Sequence, residues 1–184
     1  PSFTTEAQSF LQKKQNRRLI RFYPDKLTEN LLTYRSIFGG MLVQETDLPQ
    51  LSENKFRVVS KRKPTENEIR DLRFAWKVVK HVKSNAIVYA RDGQTLGIGT
   101  GQTSRVDSSQ IAILKADKEG LELSNSAIAS DAFFPFADGV EAAAKAGVRS
   151  VIQPGGSIRD EEVIAMADQY DLAMIFTGTR HFKH

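Results

Sequence analysis

The sequence predicts an α/β fold in which helices cover a sheet, and three observations predict it. Over residues 127–176, apolar runs alternate with helical periods at 127–134, 138–146, 149–153, 160–169 and 172–176, the pattern of a β-α-β-α-β unit. Just before it, two strand-like runs over 86–100 flank Asp92-Gly93, a dipeptide suited to a hairpin turn. The chain has 184 residues, 40% of them hydrophobic, ample for a packed core with one domain as the default.

The elements follow in order. Thr5 and Gln8 form a capping-box pattern that opens a helix to about Lys14. A strand is expected over 18–23. The segment 35–44, with Ser-Ile-Phe-Gly-Gly-Met-Leu-Val inside it, is an apolar run split by Gly39 and Gly40, which predicts a strand with a bulge or a close backbone approach. A further strand is expected over 56–60. Pro64 and a capping box from Thr65 to Glu68 then open a helix whose Ile69, Leu72, Trp76 and Val79 recur at three- and four-residue spacing, which puts Trp76 in the core. After the 86–100 hairpin a helix is expected over 104–118, followed by the alternating tail.

Composition narrows the function classes. There is no cysteine, which excludes disulfides, thiolate metal sites and a cysteine nucleophile and fits a reducing compartment such as the cytoplasm. No run approaches the ~20 apolar residues of a membrane span, and the first ten residues lack the basic and apolar regions of a signal peptide. The net charge of +4 is uneven: residues 1–83 hold 17 Lys and Arg against 9 Asp and Glu, and residues 84–184 hold 9 against 13. The basic residues are interleaved with acids and carry no aromatic ladder. A solvated face is therefore preferred to a nucleic-acid interface, and a single anionic metabolite stays compatible. The first residue, Pro1, lies in the approach to a helix with no initiator methionine before it, as expected of a piece of a longer polypeptide.

In open α/β sheets ligands sit at the carboxyl ends of strands, against the helices that follow. Three loops have that position, 101–105, 130–138 and 154–160. Gly97, Gly99 and Gly101 alternate, so one face of their strand is bare and a ligand or a backbone can approach closely there; the spacing suggests a binding site. Gly155, Gly156 and Ser157 offer backbone amides to an anion or form an ordinary strand-to-helix turn. On their residue types alone, Asn85 is a strand-end cap, Arg105 a surface arginine and Phe133 a core residue. Asp138 caps a helix in a box with Glu141, and Ser157 has a similar capping role.

Three motifs and a terminus carry a resemblance. They are Lys83-Ser84-Asn85 through Gly101-Gln102-Thr103-Ser104-Arg105; Ser130-Asp131-Ala132-Phe133-Phe134-Pro135-Phe136; Gln153-Pro154-Gly155-Gly156-Ser157-Ile158-Arg159-Asp160; and Arg180-His181-Phe182-Lys183-His184. Together they resemble the carboxyl-terminal part of the bifunctional purine-biosynthesis family that joins aminoimidazole carboxamide ribonucleotide (AICAR) formyltransferase to inosine monophosphate (IMP) cyclohydrolase, and the resemblance covers essentially the whole chain. It implies a three-layer α/β/α, cytidine deaminase-like fold, a mixed sheet with helices on both faces, with this chain as the second of two such units in the formyltransferase region. The cyclohydrolase and the first unit would lie upstream of Pro1.

The resemblance also implies the chemistry: a formyl group passes from 10-formyltetrahydrofolate, the co-substrate, to the exocyclic amine of AICAR, with tetrahydrofolate as the other product and no metal. Asn85, Arg105, Phe133 and Arg180 would contact AICAR, Arg105 matching its phosphate through paired donors and Phe133 lying against the ring. Val106, Asp138, Ser157 and Ile158 would lie beside the folate. The catalytic lysine-histidine pair belongs to the first unit, so no catalytic residue is expected in this chain, with His184 supporting the absent histidine from behind. Lys80-His81 is a decoy that ends the helix opened at Thr65 and favours its dipole. Homodimers with active sites at the subunit interface are implied, so a half-domain is expected to dimerise or aggregate, inactive without its upstream part. The short connection over 120–129 resembles bacterial members. On this reading Arg105→Ala weakens nucleotide binding by about 2 kcal/mol and leaves folding intact. The alternative is a stand-alone module that binds a phosphorylated nucleotide without chemistry.

Overall fold

The computed structural model describes residues 2–21, 23, 32–47 and 56–183. The contacts of the chain divide it into two compact units, Pro1–Pro49 and Gln50–His184, where composition had set one domain as the default.

The first unit contains helix α1 (Thr5–Gln12) and an antiparallel hairpin, β1 (Leu32–Ile37) and β2 (Gly40–Glu45). The cap of α1 is Thr4, one residue earlier than expected: it is extended, and its side chain accepts from the Ala7 amide at 3.2 Å. The run expected to be one bulged strand is instead two strands. Phe38 and Gly39 make the connection, Gly39 at φ +75°, a value that glycine adopts freely, so the glycine pair reverses the chain rather than bulging it. The strand expected over 18–23 is not formed over 18–21 or at Tyr23, and Phe22 lies outside the described residues. No described strand pairs with that segment, and a strand exists only with a ladder partner.

The second unit is built on a six-stranded sheet. Its strands are β3 (Arg57–Val58), β4 (Ile87–Arg91), β5 (Gln94–Gly99), β6 (Ala127–Ser130), β7 (Ser150–Gln153) and β8 (Ala173–Phe176), in the spatial order β3-β8-β7-β6-β4-β5. β6, β7 and β8 run parallel, β4 runs antiparallel to both β5 and β6, and β3 runs antiparallel to β8. The mixed α/β sheet is therefore the one expected. β3 stops at Val58, short of the 56–60 expectation, because the Ser60 hydroxyl takes the Met174 amide at 2.7 Å and a side chain replaces the ladder there. β6 stops at Ser130, since the Asp131 amide turns to the Ala86 carbonyl at 3.2 Å.

Helices lie on both faces. On one face α2 (Glu66–Val79) packs Leu72, Ala75, Trp76 and Val79 against Ala86, Val88, Ala129 and Ile152. Trp76 is core, as its spacing predicted, and the Thr65–Glu68 capping box is present in both directions. On the other face α3 (Arg105–Lys118), α4 (Asp138–Lys145) and α5 (Asp160–Gln169) bury Ala112, Val140 and Val163 against Ile87, Tyr89, Ile128 and Met174. Tyr89 is buried with its hydroxyl 2.6 Å from that of Ser109, and burial pushes its phenol above the ordinary range.

The bare face of β5 is filled by protein. A side-chain carbon at Gly97 would lie 2.3 Å from the Ala112 carbonyl oxygen, and one at Gly99 would lie 1.7 Å from that of Ser108. The glycine spacing that suggested a ligand therefore admits the α3 backbone, and its functional effect is indirect. It seats α3 so that Arg105, its first residue, is held at the sheet edge.

Candidate functional site

Strand directions put the carboxyl ends of β5, β6, β7 and β8 and the amino ends of β3 and β4 on one edge of the sheet. That edge carries all the motif loops: 83–86, 100–105, 130–138, 154–160 and 177–183.

At its centre stands Asp131, whose side chain is fully buried. One carboxylate oxygen accepts from Arg105 at 3.0 Å and the other from the Ser84 hydroxyl. The Asp131 carbonyl receives the His181 amide at 2.9 Å, so the segment after β8 is tied to the loop after β6. Arg105 is therefore neither the surface arginine nor the freely presented phosphate fork that its sequence position suggests. Its side chain is 13% exposed and its guanidinium is engaged by a buried carboxylate, and removing it would leave that charge uncompensated. The expectation that Arg105→Ala leaves folding intact is corrected on this ground.

Asn85 donates its side-chain amide to the Gln102 carbonyl at 2.9 Å, and its own carbonyl receives the Ser108 hydroxyl at 2.8 Å. It pins the 100–105 loop and the start of α3 to the start of β4, while its side-chain oxygen takes no hydrogen bond among the described residues. Phe133 is half-buried beside the core residue Phe134, and the Arg180 guanidinium lies 4.7 Å from the centre of its ring. The chain around Arg180 is fixed from behind, because the His181 ring packs on Trp76 at 4.6 Å and the Lys183 carbonyl receives the Ser84 amide at 2.9 Å. The four expected nucleotide contacts thus come from the segment before β4, from α3, from the β6 loop and from the β8 loop, at one edge.

The four expected folate contacts stand at the amino ends of three helices on one sheet face. Val106 is in the first turn of α3, Asp138 begins α4, and Ser157 and Ile158 precede α5. The cap of α4 is Ala137 rather than Asp138, and it makes no side-chain cap bond. The expected box with Glu141 is not formed, because Lys145 at 2.7 Å and the Tyr170 hydroxyl at 3.2 Å take that carboxylate; the hydrogen bond and charge of Lys145 hold it below its usual value. Asp138 is left exposed, one oxygen accepting from the Gly139 amide. Ile158 is fully exposed, an apolar side chain with nothing against it.

At Gly155-Gly156-Ser157 the structure decides between anion cradle and turn. The Gly156 amide donates to Asp160 at 2.7 Å and the Ser157 amide at 3.1 Å, so one carboxylate of the chain already fills these donors. Beside this turn, a cavity of about 650 Å³ opens between the end of β8 and Arg57 on β3.

Lys80 is the residue just past α2, and the exposed His81 offers its carbonyl to the Lys183 amine at 2.9 Å. His184 lies outside the described residues. Among the described residues no group of three or more His, Cys, Asp or Glu could hold a metal ion, and no helix is long and apolar enough to cross a membrane.

The family model described as AICARFT/IMPCHase bienzyme matches residues 1–115. The chain belongs to this family. A bifunctional purine biosynthesis protein PurH from Chloroflexus aurantiacus is 56% identical over 184 residues, which are 100% of this chain and 36% of that relative. The chain therefore spans about a third of the length of the curated relative. Among solved structures, a dCMP deaminase from the cyanophage S-TIM5, in complex with dCMP and dUMP, aligns at 17% identity over 60% of this chain and 98% of its own, with a TM-score of 0.44. A diaminohydroxyphosphoribosylaminopyrimidine deaminase/5-amino-6-(5-phosphoribosylamino)uracil reductase from Thermotoga maritima aligns at 16% identity over 60% of this chain and 35% of its own, with a TM-score of 0.37.

Within this bienzyme-family chain, reading the sequence missed Asp131 as the hub of the edge. The available signal was an acid directly after a buried apolar strand, where an unpaired carboxylate is costly and a cationic partner is needed. Arg105 was in view, but its partner was not.

Proposed function

We propose that the chain is the second, carboxyl-terminal unit of the formyltransferase region of an AICARFT/IMPCHase bienzyme, and that its motif edge is the part of the active site that holds both substrates. AICAR lies along Asn85, Phe133 and Arg180, with Arg105 beneath them, and 10-formyltetrahydrofolate lies along Val106, Asp138, Ser157 and Ile158. The observation that carries this reading is the gathering of both sets on one sheet edge, with Asp138 and Ile158 left exposed and Arg180 presented over an aromatic ring.

Formyl transfer joins the AICAR amine nitrogen to the formyl carbon, breaks the bond from that carbon to the folate nitrogen, and moves the amine proton to the departing nitrogen. A weakly nucleophilic, ring-conjugated amine needs a base, and the carbonyl oxygen needs donors as negative charge develops on it. This chain positions the reactants through charge and stacking. The base is the lysine-histidine pair of the upstream unit, so the chain alone is inactive, and the whole protein acts as a cytoplasmic homodimer that also carries IMP cyclohydrolase. The Asp138 carboxylate accepts from the donor edge of the pterin, a role open to it because Ala137, not Asp138, stands at the cap of α4.

The test is tetrahydrofolate release by the 184-residue chain alone and by the chain mixed with the upstream half of the formyltransferase region. Release only in the mixture supports the reading. Release by the chain alone means that its own histidines supply the base, and binding without release in either arm leaves the nucleotide-binding module.

A further inference from the structure

We propose that the cavity between Arg57 and Arg180 is a binding site for an anionic oxygen group, and that Arg57 is one of its two cationic walls. The inference rests on the substrate reading above, which supplies two sources for such a group, the phosphate of the nucleotide and the glutamyl carboxylates of the folate.

The cavity measures about 650 Å³ and is walled by Arg57, Gly155, Gly156, Asp160, Phe176 and Arg180. That size suits a small-molecule fragment. Arg57 stands directly opposite Phe176 in the β3–β8 ladder, so the two side chains share a sheet face. Gly155 and Gly156 in the wall sit at positive φ, +71° and +92°, and a side-chain carbon at Gly155 would lie 2.3 Å from the Phe176 ring. The site is thus open at the backbone, apolar at its floor and cationic at both sides.

Among the described residues the charge of the cavity is not balanced from within. Asp160 is the one acid among its described walls, and its two oxygens receive the Gly156 and Ser157 amides at 2.7 and 3.1 Å. It holds the turn rather than an arginine. Among the described residues the side chains of Arg57 and Arg180 make no hydrogen bond or ion pair, and the Arg180 guanidinium lies over the ring of Phe133. The contrast within the chain is direct: Arg62, Arg105 and Arg149 all pair with carboxylates at 2.7 to 3.0 Å. A guanidinium presents paired donors that match phosphate and carboxylate, and two of them line this cavity with their donors unused among the described residues. Arg105, engaged by Asp131, is the poorer candidate for that task. Arg180 therefore serves two places, the ring of Phe133 on one side and the anion cavity on the other.

The test compares the 184-residue chain with Arg57→Gln and Arg57→Lys, after a thermal melt shows all three folded. Equilibrium binding is measured for five probes: inorganic phosphate, AICAR and its riboside, and pteroylglutamate and pteroate. The proposal predicts that Arg57→Gln weakens inorganic phosphate and one of the two charged ligands at least fivefold and leaves the truncated partner within twofold. Arg57→Lys, which keeps charge but loses the fork, falls between. A loss confined to AICAR assigns the cavity to phosphate; a loss confined to pteroylglutamate assigns it to the glutamyl carboxylates. Equal effects on both members of each pair, or no binding by any probe, overturn the proposal. Riboside and pteroate binding with no Arg57 dependence of any anion overturns the cavity and leaves the substrate reading standing. Arg57-dependent phosphate binding with no affinity for AICAR, its riboside or either pterin does the reverse.

Discussion

The two edges of the six-stranded sheet use the same residue types to opposite ends. At the edge where β7 and β8 begin, Arg62 donates to both oxygens of Glu68 at 2.7 and 3.0 Å, to the Asp171 carbonyl at 2.8 Å and to the Arg149 carbonyl, while Arg149 pairs with Asp171 at 2.8 Å. Those arginines spend their donors on the protein and tie β3, α2, β7 and β8 together. At the edge where β7 and β8 end, Arg57 and Arg180 leave theirs unused among the described residues, Asp138 is exposed, and Ile158 is fully exposed. Satisfied hydrogen bonds hold a fold, whereas presented donors and apolar surface on a rigid frame are what a ligand needs. Arg105, although at the ligand edge, is tied to a carboxylate of the protein as Arg62 and Arg149 are.

Breaking that assignment has the largest expected effect. Arg105→Ala leaves the fully buried Asp131 unpaired and is expected to cost about 3–5 kcal/mol of stability in urea unfolding. A cost below about 1 kcal/mol would return Arg105 to the ligand-facing group. Next comes Gly99→Ala, which drives a methyl group against the Ser108 carbonyl. Forced overpacking of this kind costs about 1–3 kcal/mol. Because α3 carries Arg105, whose ion pair with Asp131 holds the motif loops at the edge, the variant also weakens AICAR binding, which separates it from a core substitution far from the edge.

A smaller effect sharpens the other side. Burial works against a charged Glu68, yet the hydrogen bonds and charge of Arg62 and the Thr65 amide outweigh it and hold the carboxyl below its usual 4.5. Its contribution is complete above that value and fades as pH falls through the lowered one. The stability difference between the wild type and Glu68→Gln, about 1 kcal/mol for a partly solvated pair at pH 7, should therefore shrink below pH 4.5; a difference that grows on acidification would contradict the pairing. Smallest is Arg180→Ala. Its guanidinium lies over an aromatic ring and makes no hydrogen bond or ion pair among the described residues, so the melting midpoint should hold within an equivalent of about 0.5 kcal/mol, while AICAR affinity falls roughly tenfold or more.

Much of the frame was legible because its signals are local. Asp92-Gly93 turns the β4–β5 hairpin with both residues at positive φ, +53° and +72°, as that dipeptide requires, and the Thr65–Glu68 box needs only its own four residues. The errors came where a tertiary partner decides. A bare strand face at Gly97 and Gly99 reads alike whether a ligand or a helix fills it, and the helix filled it. The amides after β7 read as free until Asp160, at the start of α5, is seen to occupy them. The Glu141 box failed for the same reason, since Lys145 one turn on and Tyr170 after α5 competed for one carboxylate. Asp131 and Arg105 are 26 residues apart, a separation at which no local rule pairs a carboxylate with its cation.

The central claim is that one edge of the sheet is the substrate edge, and amide chemical-shift mapping of the 184-residue chain on adding AICAR tests it most directly. The account predicts shifts at Asn85, Phe133 and Arg180 that saturate together, with Lys61, Arg149 and Asp171 at the other edge unmoved. Saturable shifts centred on Lys61, Arg149 and Asp171, with Phe133 and Arg180 silent, would contradict it.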